Sequence, residues 1–212
     1  MEDKYNETIN TWNKVAQLYE DKFMDLELYN DSYQKFCELL INQNASILEL
    51  GCGPGNITKQ LLRLKPQLDI LATDVSENMI AHAKKNNPTI TTQQLDARKL
   101  ASIQCTFDGI ICGFIIPYLA KEDLEKLCED FNAKLHKNGI LYLSYVEGSY
   151  EHSGFQTSSS GDRAYFYYYD SKFIAQTLVH NNFKILHQLE VSYEKNDNTL
   201  ETHSILIAQK TS

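Results

Sequence analysis

A glycine-rich stretch, SILELGCGPGN at residues 46–56, carries the residue types most suited to holding a ligand. A short apolar run contains Glu49, and three glycines then alternate with Cys52 and Pro54. Because glycine has no Cβ atom, a ligand can lie directly against the backbone of such a loop. The residues that follow have helical spacing, and a helix N-terminus offers free N–H groups and a partial positive charge. The stretch therefore predicts a ligand-binding loop between a strand and a helix.

Two features of this loop argue against a dinucleotide as the ligand. The G-x-G-x-x-G fingerprint needs its third glycine at position 56, where the chain has Asn56. Glu49 stands just before the first glycine, near the point where a pyrophosphate would approach. A carboxylate there repels phosphate and suits a cation such as an α-ammonium group. An NAD-dependent oxidoreductase stays as an alternative, as does a tight turn that binds nothing.

Two aspartates follow later predicted strands at positions suited to a nucleoside. Asp74 ends the strand LDILATD, where an acidic side chain can accept hydrogen bonds from both ribose hydroxyls. Asp96, after the third strand, is placed to accept the exocyclic amine of adenine, with Val75 and Met79 packing against its faces. The alternatives are a helix-capping role for Asp74 and an ordinary turn role for Asp96. Partners for ribose, adenine and ammonium, without a phosphate clamp, suit an adenosyl group joined to an amino acid.

Five stretches in this order resemble the class I S-adenosylmethionine-dependent methyltransferases: SILELGCGPGN, TDVSENMI, LDAR, FDGIICGFIIPYL and NGILYLSYVEG. They cover residues 46–146, and their combination is more specific than any one of them. The resemblance implies S-adenosylmethionine as cofactor, S-adenosylhomocysteine as product and a seven-stranded sheet with a reversed last strand.

The resemblance also assigns cofactor contacts to single positions. The methionine part of the cofactor is expected at the first motif, namely at Glu49, Gly51, Cys52, Gly53 and Gly55. The remaining implied contacts are Asp74 with ribose, Asp96 and Ala97 with the adenine edge, and Cys112 and Gly113 with the amino end. The stretch WNKVAQLYEDKF resembles a helix that folds over the cofactor, with Tyr19 as a contact. The alternative is that Tyr19 belongs only to the core.

The residues that choose the methyl acceptor are less evident. Candidates for catalysis are His152, Arg163 and Tyr168, in a tyrosine-rich segment that resembles a bacterial subgroup of small methyltransferases. An arginine beside aromatic rings can bind an anionic or planar substrate. The alternatives are an edge strand of alternating tyrosines and an exposed, idle histidine. The segment IIPY lacks the polar residue expected of nucleobase-amine methyltransferases, so we expect a small-molecule acceptor.

The hydrophobic periodicity predicts the strands and helices that position these residues. Strands alternating with helices predict an α/β fold with a doubly wound parallel sheet. The resemblance implies that this is a mostly parallel, seven-stranded Rossmann-like sheet with an antiparallel last strand. The predicted strands are residues 46–50, 68–73, 89–94, 107–112, 140–146, 183–193 and 199–210, and the flanking helices include 8–25, 31–42 and 170–181. We expect one domain over 1–212, with a helical cap at 1–45, a cofactor-binding core at 46–147 and a substrate side at 148–212.

Composition narrows the classes of protein. The 212 residues carry a formal net charge of −8 and no long run of Lys and Arg, so nucleic acid is an unfavoured partner. The five cysteines form no C-x-x-C pair, which predicts reduced thiols, a cytoplasmic location and no metal site. Neither a signal peptide nor a membrane-spanning run is evident. Oligomeric state stays open, as do an RNA or protein methyltransferase and a non-catalytic cofactor binder.

Overall fold

The computed structural model describes residues 3–158, 161–195 and 198–211. Nine strands lie in this part of the chain, seven in one sheet of order β3-β2-β1-β4-β5-β9-β8 and two in a separate hairpin, β6-β7. Their bounds are β1 Ser46–Leu50, β2 Asp69–Asp74, β3 Thr91–Gln94, β4 Phe107–Gly113, β5 Leu135–Val146, β6 Gly154–Thr157, β7 Arg163–Phe166, β8 Phe183–Glu194 and β9 Leu200–Lys210. Strand β9 is antiparallel to both neighbours, β5 and β8, and the other pairings in the large sheet are parallel. The predicted fold class is confirmed.

Seven helices surround the sheet within the described residues. They are α1 Lys4–Lys14, α2 Ala16–Phe23, α3 Asn30–Leu39, α4 Asn56–Leu64, α5 Glu77–Asn86, α6 Lys121–Lys134 and α7 Ser171–His180. Side-chain caps fix the starts of three of them, because Asp3, Ser76 and Asp170 each accept a hydrogen bond from a first-turn backbone N–H. One buried apolar layer packs under α3, α4 and α5, and a second packs under α6 and α7. The sheet is thus covered on both faces, as parallel sheets are.

The strand order reverses between β1 and β4, which are hydrogen-bonded neighbours. The carboxyl ends of β1, β2 and β4 therefore border one crevice, the place where open parallel sheets bind ligands. The loop 51–55 leaves β1 at this edge, and Asp74 ends β2 there. The fold brings the predicted nucleoside-binding positions to one end of the sheet.

Two predicted elements differ from the structure. The single helix expected at 8–25 is two helices, α1 and α2, which meet at Val15. The segment expected to be a loop, 148–164, contains β6 and the first two residues of its partner β7. This hairpin packs on α1 instead of joining the large sheet. The expected break at 194–198 includes positions 196 and 197, which lie outside the described residues. No described helix has the length and apolar character needed to cross a membrane.

Candidate functional site

A cavity with about 880 Å³ of empty space, counting its open mouth, lies at the crevice between β1, β2 and β4. Its walls come from the glycine loop, the ends of β2 and β4, the turn after β3, and helices α1 and α2. The predicted cofactor positions among its lining residues are Tyr19, Gly51, Gly53, Asp74, Val75, Met79, Asp96, Ala97 and Gly113. Positions from across the first half of the chain thus meet around one space.

The glycine loop forms the floor of this cavity. Gly51 and Gly53 have φ angles of 63° and 52°, a left-handed conformation that glycine adopts without strain. A Cβ atom on Gly51 would lie 2.5 Å from the Ile115 side chain, so this position has no room for a larger residue. A Cβ atom on Gly53 would lie 3.5 Å from the Tyr19 ring, on the opposite wall. The loop therefore presents bare backbone to the cavity beside the Tyr19 ring.

Asp74 is held rigidly beside the loop. Its carboxylate accepts a hydrogen bond from the Gly53 N–H at 3.0 Å and another from the Ser76 N–H at 2.8 Å. The residue is 9% exposed, and burial raises the pKa of its carboxyl group above the ordinary value. A carboxylate has about four acceptor positions, so two N–H donors leave room for more hydrogen bonds. Asp74 can therefore accept two neighbouring hydroxyl groups of a ligand without moving.

Glu49 lies beneath the loop and does not line the cavity itself. It is 0% exposed, and its Oε2 atom accepts a hydrogen bond from the Thr58 hydroxyl. Its Oε1 atom is buried and has no hydrogen-bond partner among the described residues. Burial raises the pKa of Glu49 to about 8. A buried, half-satisfied carboxyl group below a ligand-binding loop is suited to a cationic partner, which would favour its ionised form.

Asp96 forms an ion pair with Arg98, a residue that was not predicted to be part of the site. Arg98 donates to the Asp96 carboxylate through its backbone N–H and its guanidinium group. Burial raises the pKa of Asp96, but the hydrogen bonds from Arg98 outweigh it and leave that pKa below its ordinary value. The guanidinium also stacks on the Tyr5 ring, 3.7 Å from its centroid. Arg98 is thereby neutralised and does not offer a free cation to a phosphate.

Aromatic rings from the first two helices close the cavity from above. Trp12 makes edge contacts with Tyr19 and Tyr118, at centroid separations of 5.5 Å and 5.3 Å. The indole Nε1 is buried and has no hydrogen-bond partner in the described part of the chain. Burial, and then the charge of Asp74, raise the pKa of Tyr19 to about 12, so the hydroxyl stays neutral. This roof lines the ligand space with aromatic ring surface.

The roof is fastened to the rest of the domain by polar contacts. Thr8 accepts a hydrogen bond from the Tyr165 N–H at 2.9 Å, and Glu7 pairs with Arg163 at 2.6 Å, so α1 is joined to β7. Helix α2 is joined to α5 because Glu20 accepts a hydrogen bond from Asn86 at 2.6 Å. The tyrosine-rich hairpin is thus a support for the roof.

The remaining predicted site residues lie outside the cavity. Cys52, Gly55 and Cys112 do not line it, and a Cβ atom on Gly55 would lie 2.3 Å from Asn87 on the helix side. His152 and Tyr168 lie along a shallow groove at the end of β5. Arg163 is paired with Glu7 and stacked on Phe155, 4.4 Å from its ring centroid. None of the three proposed catalytic side chains lines the cavity at the crevice between β1, β2 and β4.

Several lining residues were missed from the sequence. They are Tyr5, Thr8, Arg98, Phe114 and Tyr118 among others. The sequence also pointed to Glu201 and His203. They are two residues apart on a predicted strand, so their side chains lie on the same face of the sheet. His203 is 6% exposed and lies at the end of the sheet that bears the cavity, opposite Val146 of β5.

Comparison with known proteins agrees with this geometry. Residues 47–139 match the family model described as a methyltransferase domain. A malonyl-acyl-carrier-protein O-methyltransferase from Bacillus anthracis is 36% identical over 105 residues, which are 49% of this chain and 38% of that protein. A trans-aconitate 2-methyltransferase from Methylobacterium nodulans is 39% identical over 56 residues, which are 26% of this chain and 22% of that protein. The chain thus spans well under half of the length of these two relatives.

The fold has a counterpart among solved structures. The magnesium protoporphyrin IX methyltransferase from Synechocystis PCC 6803, solved with S-adenosylmethionine bound, superposes with a TM-score of 0.73. The match covers 100% of this chain and 99% of that chain at 15% sequence identity. The family match ends at residue 139, before the hairpin β6-β7 and strands β8 and β9. Similarity to the family is therefore concentrated in the half of the chain that builds the glycine loop and the two aspartates.

Proposed function

We propose that the chain binds S-adenosylmethionine in this cavity and transfers its methyl group to a small molecule, because residues 47–139 match the family model of a methyltransferase domain. The observation that carries the proposal is the joint placement of Asp74 and the glycine loop. The carboxylate is locked by the Gly53 and Ser76 N–H groups at the edge of bare backbone. This is the arrangement that ribose hydroxyls beside an extended amino-acid arm require.

The other parts of the cofactor have partners along the same wall. Asp96 and Ala97 line the end of the cavity expected to hold adenine, and Met79 and Val75 supply apolar contact. Glu49 does not line the cavity, but its buried oxygen without a partner lies below the loop and would favour a cationic α-ammonium group above it. The two carboxylates that line the cavity, with Arg98 neutralised, disfavour a diphosphate.

S-adenosylmethionine supplies a methyl group on a sulfonium, which a nucleophile displaces in line. The protein has two tasks in such a reaction, alignment and the exclusion of water. The locked Asp74 and the bare backbone of the glycine loop fix the ligand's position. The ring cluster of Trp12, Tyr19 and Tyr118 keeps the reacting end dry.

A small acceptor is favoured over a polymer. Helix α1 lines the cavity and packs against β7 of the hairpin. The net charge of −8 disfavours RNA. The names of the relatives, malonyl-acyl-carrier-protein and trans-aconitate methyltransferases, are consistent with metabolic acceptors. An RNA or protein methyltransferase and a non-catalytic binder are the alternatives that the experiment separates.

Titration with S-adenosylhomocysteine tests the cofactor assignment directly. Trp12 is the only tryptophan of the chain and lines the cavity, so its fluorescence reports binding there. We expect S-adenosylhomocysteine to change this fluorescence at concentrations at least about tenfold lower than NAD does, a difference of roughly 1.4 kcal/mol. Tighter binding of NAD would reject the proposal.

Turnover tests the transfer itself. S-adenosylmethionine is incubated with the protein and panels of small metabolites, RNA and protein extracts, and release of S-adenosylhomocysteine is measured. We expect release above the acceptor-free rate only with members of the small-molecule panel. Release with RNA or protein alone would favour the polymer alternative, and tight binding without release in any panel would favour a non-catalytic binder.

A further inference from the structure

A second cluster adjoins the cavity, built from Tyr29, Phe114, Tyr193, Glu201 and His203, and we call it the aromatic box. His203 Nδ1 lies 2.7 Å from the Tyr29 hydroxyl. The Tyr193 ring stacks on the imidazole at 4.9 Å, with 13° between the planes. Phe114 contacts the imidazole edge-on at the same centroid separation of 4.9 Å. The imidazole is therefore enclosed by rings on several sides.

One polar atom in the aromatic box has no partner. His203 Nε2 is buried and makes no hydrogen bond with any described residue. The nearest carboxylate oxygen, Glu201 Oε2, is 3.6 Å away, beyond hydrogen-bond distance. Buried polar groups are nearly always satisfied in folded proteins, and an exception calls for a ligand, a water or an ion. Because His203 is more than nine-tenths buried, this atom marks a place prepared for a polar group.

Phe114 connects the aromatic box to the cofactor cavity. Its ring contacts His203 and Tyr29, and the residue also lines the cavity. Phe114 directly follows β4 with a φ of 55°, which is unusual for a bulky residue. Such strained residues cluster at functional sites, where the surrounding structure holds them. The Phe114 N–H is held by the Ser144 carbonyl at 3.1 Å, so the ring is fixed between the two spaces.

The charges around both spaces favour a cation over an anion. Arg98 is the cationic residue among those that line the cavity, and it is bonded to Asp96. In the aromatic box the charged group is Glu201, whose Oε1 atom pairs with Lys195 at 2.9 Å while its Oε2 atom lies 3.6 Å from His203 Nε2. Burial lowers the pKa of His203, despite an opposing effect of Glu201, so the imidazole is neutral at pH 7. Tyrosine and phenylalanine faces beside a carboxylate attract ammonium groups.

We propose that the methyl acceptor is a small organic amine, whose nitrogen binds in the aromatic box between Glu201, His203 and the ring of Phe114. The inference rests on the proposed methyl transfer and adds the class of acceptor to it. Arg163, the side chain expected to bind an anionic acceptor, is paired with Glu7 away from both spaces.

The transfer is chemically balanced with these groups. The nitrogen lone pair of the neutral amine forms the new N–C bond while the C–S bond breaks, and the sulfur keeps that electron pair as a thioether. Positive charge thus moves from sulfur to nitrogen, where the rings and Glu201 stabilise it. The surplus N–H proton passes to His203 Nε2 and from there to water. This requires the tautomer in which Nδ1–H donates to the Tyr29 oxygen, whose 2.7 Å separation suits that bond.

Binding of a cationic probe to the cofactor-loaded protein is the first test. The protein is saturated with S-adenosylhomocysteine and titrated with tetramethylammonium, or with tert-butanol as a neutral molecule of similar shape. We expect tetramethylammonium to bind at least about tenfold more tightly. In Glu201→Gln its affinity falls by about fivefold or more, while binding of S-adenosylhomocysteine is unchanged. Glu38→Gln, on the exposed side of α3, is the matched control and leaves both affinities unchanged.

The outcomes separate this inference from the proposed function. If wild-type protein fails to bind S-adenosylhomocysteine, the methyl-transfer proposal itself is wrong. If it binds that product but does not prefer tetramethylammonium to tert-butanol, only the amine inference is overturned.

Turnover gives the second readout. Amines and carboxylic acids of matched carbon skeleton are compared, and we expect methylation of amines alone. His203→Gln should lower kcat and flatten its fall toward acidic pH, with KM for S-adenosylmethionine unchanged. Methylation confined to the acids, or an unaltered kcat profile in His203→Gln, would contradict the roles assigned to the aromatic box.

Discussion

Replacing Asp74 with asparagine should weaken binding of S-adenosylhomocysteine by about tenfold or more, since hydrogen bonds to a charged acceptor contribute roughly 1.5–3 kcal/mol. Both carboxylate oxygens already accept a backbone N–H, from Gly53 and Ser76. An asparagine can keep only one of these acceptors, so its amide nitrogen faces either the loop or the ligand as a donor. The substitution therefore removes acceptor capacity where ribose hydroxyls would bind. Calorimetric titration measures the loss.

A second aspartate in the same strand provides the control. Asp69 opens β2, is exposed and lies at the opposite end from the cavity. Asp69→Asn changes the net charge by the same amount, and we expect its affinity for S-adenosylhomocysteine to equal that of the wild type. Thermal unfolding of both variants verifies that the protein is folded. An affinity of Asp74→Asn within threefold of the control, roughly 0.7 kcal/mol, would show that Asp74 does not bind the ribose.

The sequence predicted the part of the fold that depends on local pattern. Strand β1 has the predicted bounds because a parallel strand covered on both faces reads as one apolar run. The reversed last strand was also foreseen, because two strands separated by a short break pair as a hairpin. By contrast, β6 and β7 pair only with each other and rest on α1. Strands β6 and β7 depend on their contact with α1, and no hydrophobic periodicity in the segment predicted that contact.

The same division applies to the candidate site. Asp74, Gly51 and Gly53 were recognised because their roles depend on short spacing around one strand end, although their contact with a cofactor stays a prediction. Tyr5 and Arg98 are far apart in sequence and stack only because α1 folds across the sheet. The three candidates for catalysis were chosen by side-chain chemistry alone, and the fold places them outside the cavity at the crevice between β1, β2 and β4. Residue type indicates what a side chain can do, whereas tertiary contacts decide whether it faces the ligand.

Replacing Glu49 with glutamine should stabilise the protein at alkaline pH while weakening the cofactor site. Burial raises the pKa of Glu49 from 4.5 to about 8, so the folded state holds a proton that the unfolded chain releases at neutral pH. The stabilisation from this raised pKa is complete below pH 4.5 and is lost as the pH rises through about 8. Glutamine has a similar shape and no proton to lose. Denaturant unfolding should show Glu49→Gln gaining roughly 2 kcal/mol or more over the wild type between pH 5 and 8.5.

An exposed carboxylate serves as the control for this pH effect. Glu38, on the outer side of α3, is exposed, and Glu38→Gln should follow the wild-type stability curve at every pH. Parallel curves for Glu49→Gln and the wild type would show that Glu49 titrates normally, against the burial argument.

Cofactor binding should show what the buried carboxyl group of Glu49 does, since its burial destabilises the folded protein. An α-ammonium group near the free Oε1 atom favours the ionised form of Glu49, so cofactor binding at pH 7 should release a proton. Calorimetry in buffers of different ionisation enthalpy measures that release, and Glu49→Gln should lose both the release and much of the affinity. If the variant bound S-adenosylhomocysteine as tightly as the wild type with the same proton release, Glu49 would have no part in the site. If Glu49→Gln is more stable than the wild type but binds the cofactor more weakly, then Glu49 contributes to ligand binding and lowers the stability of the folded protein.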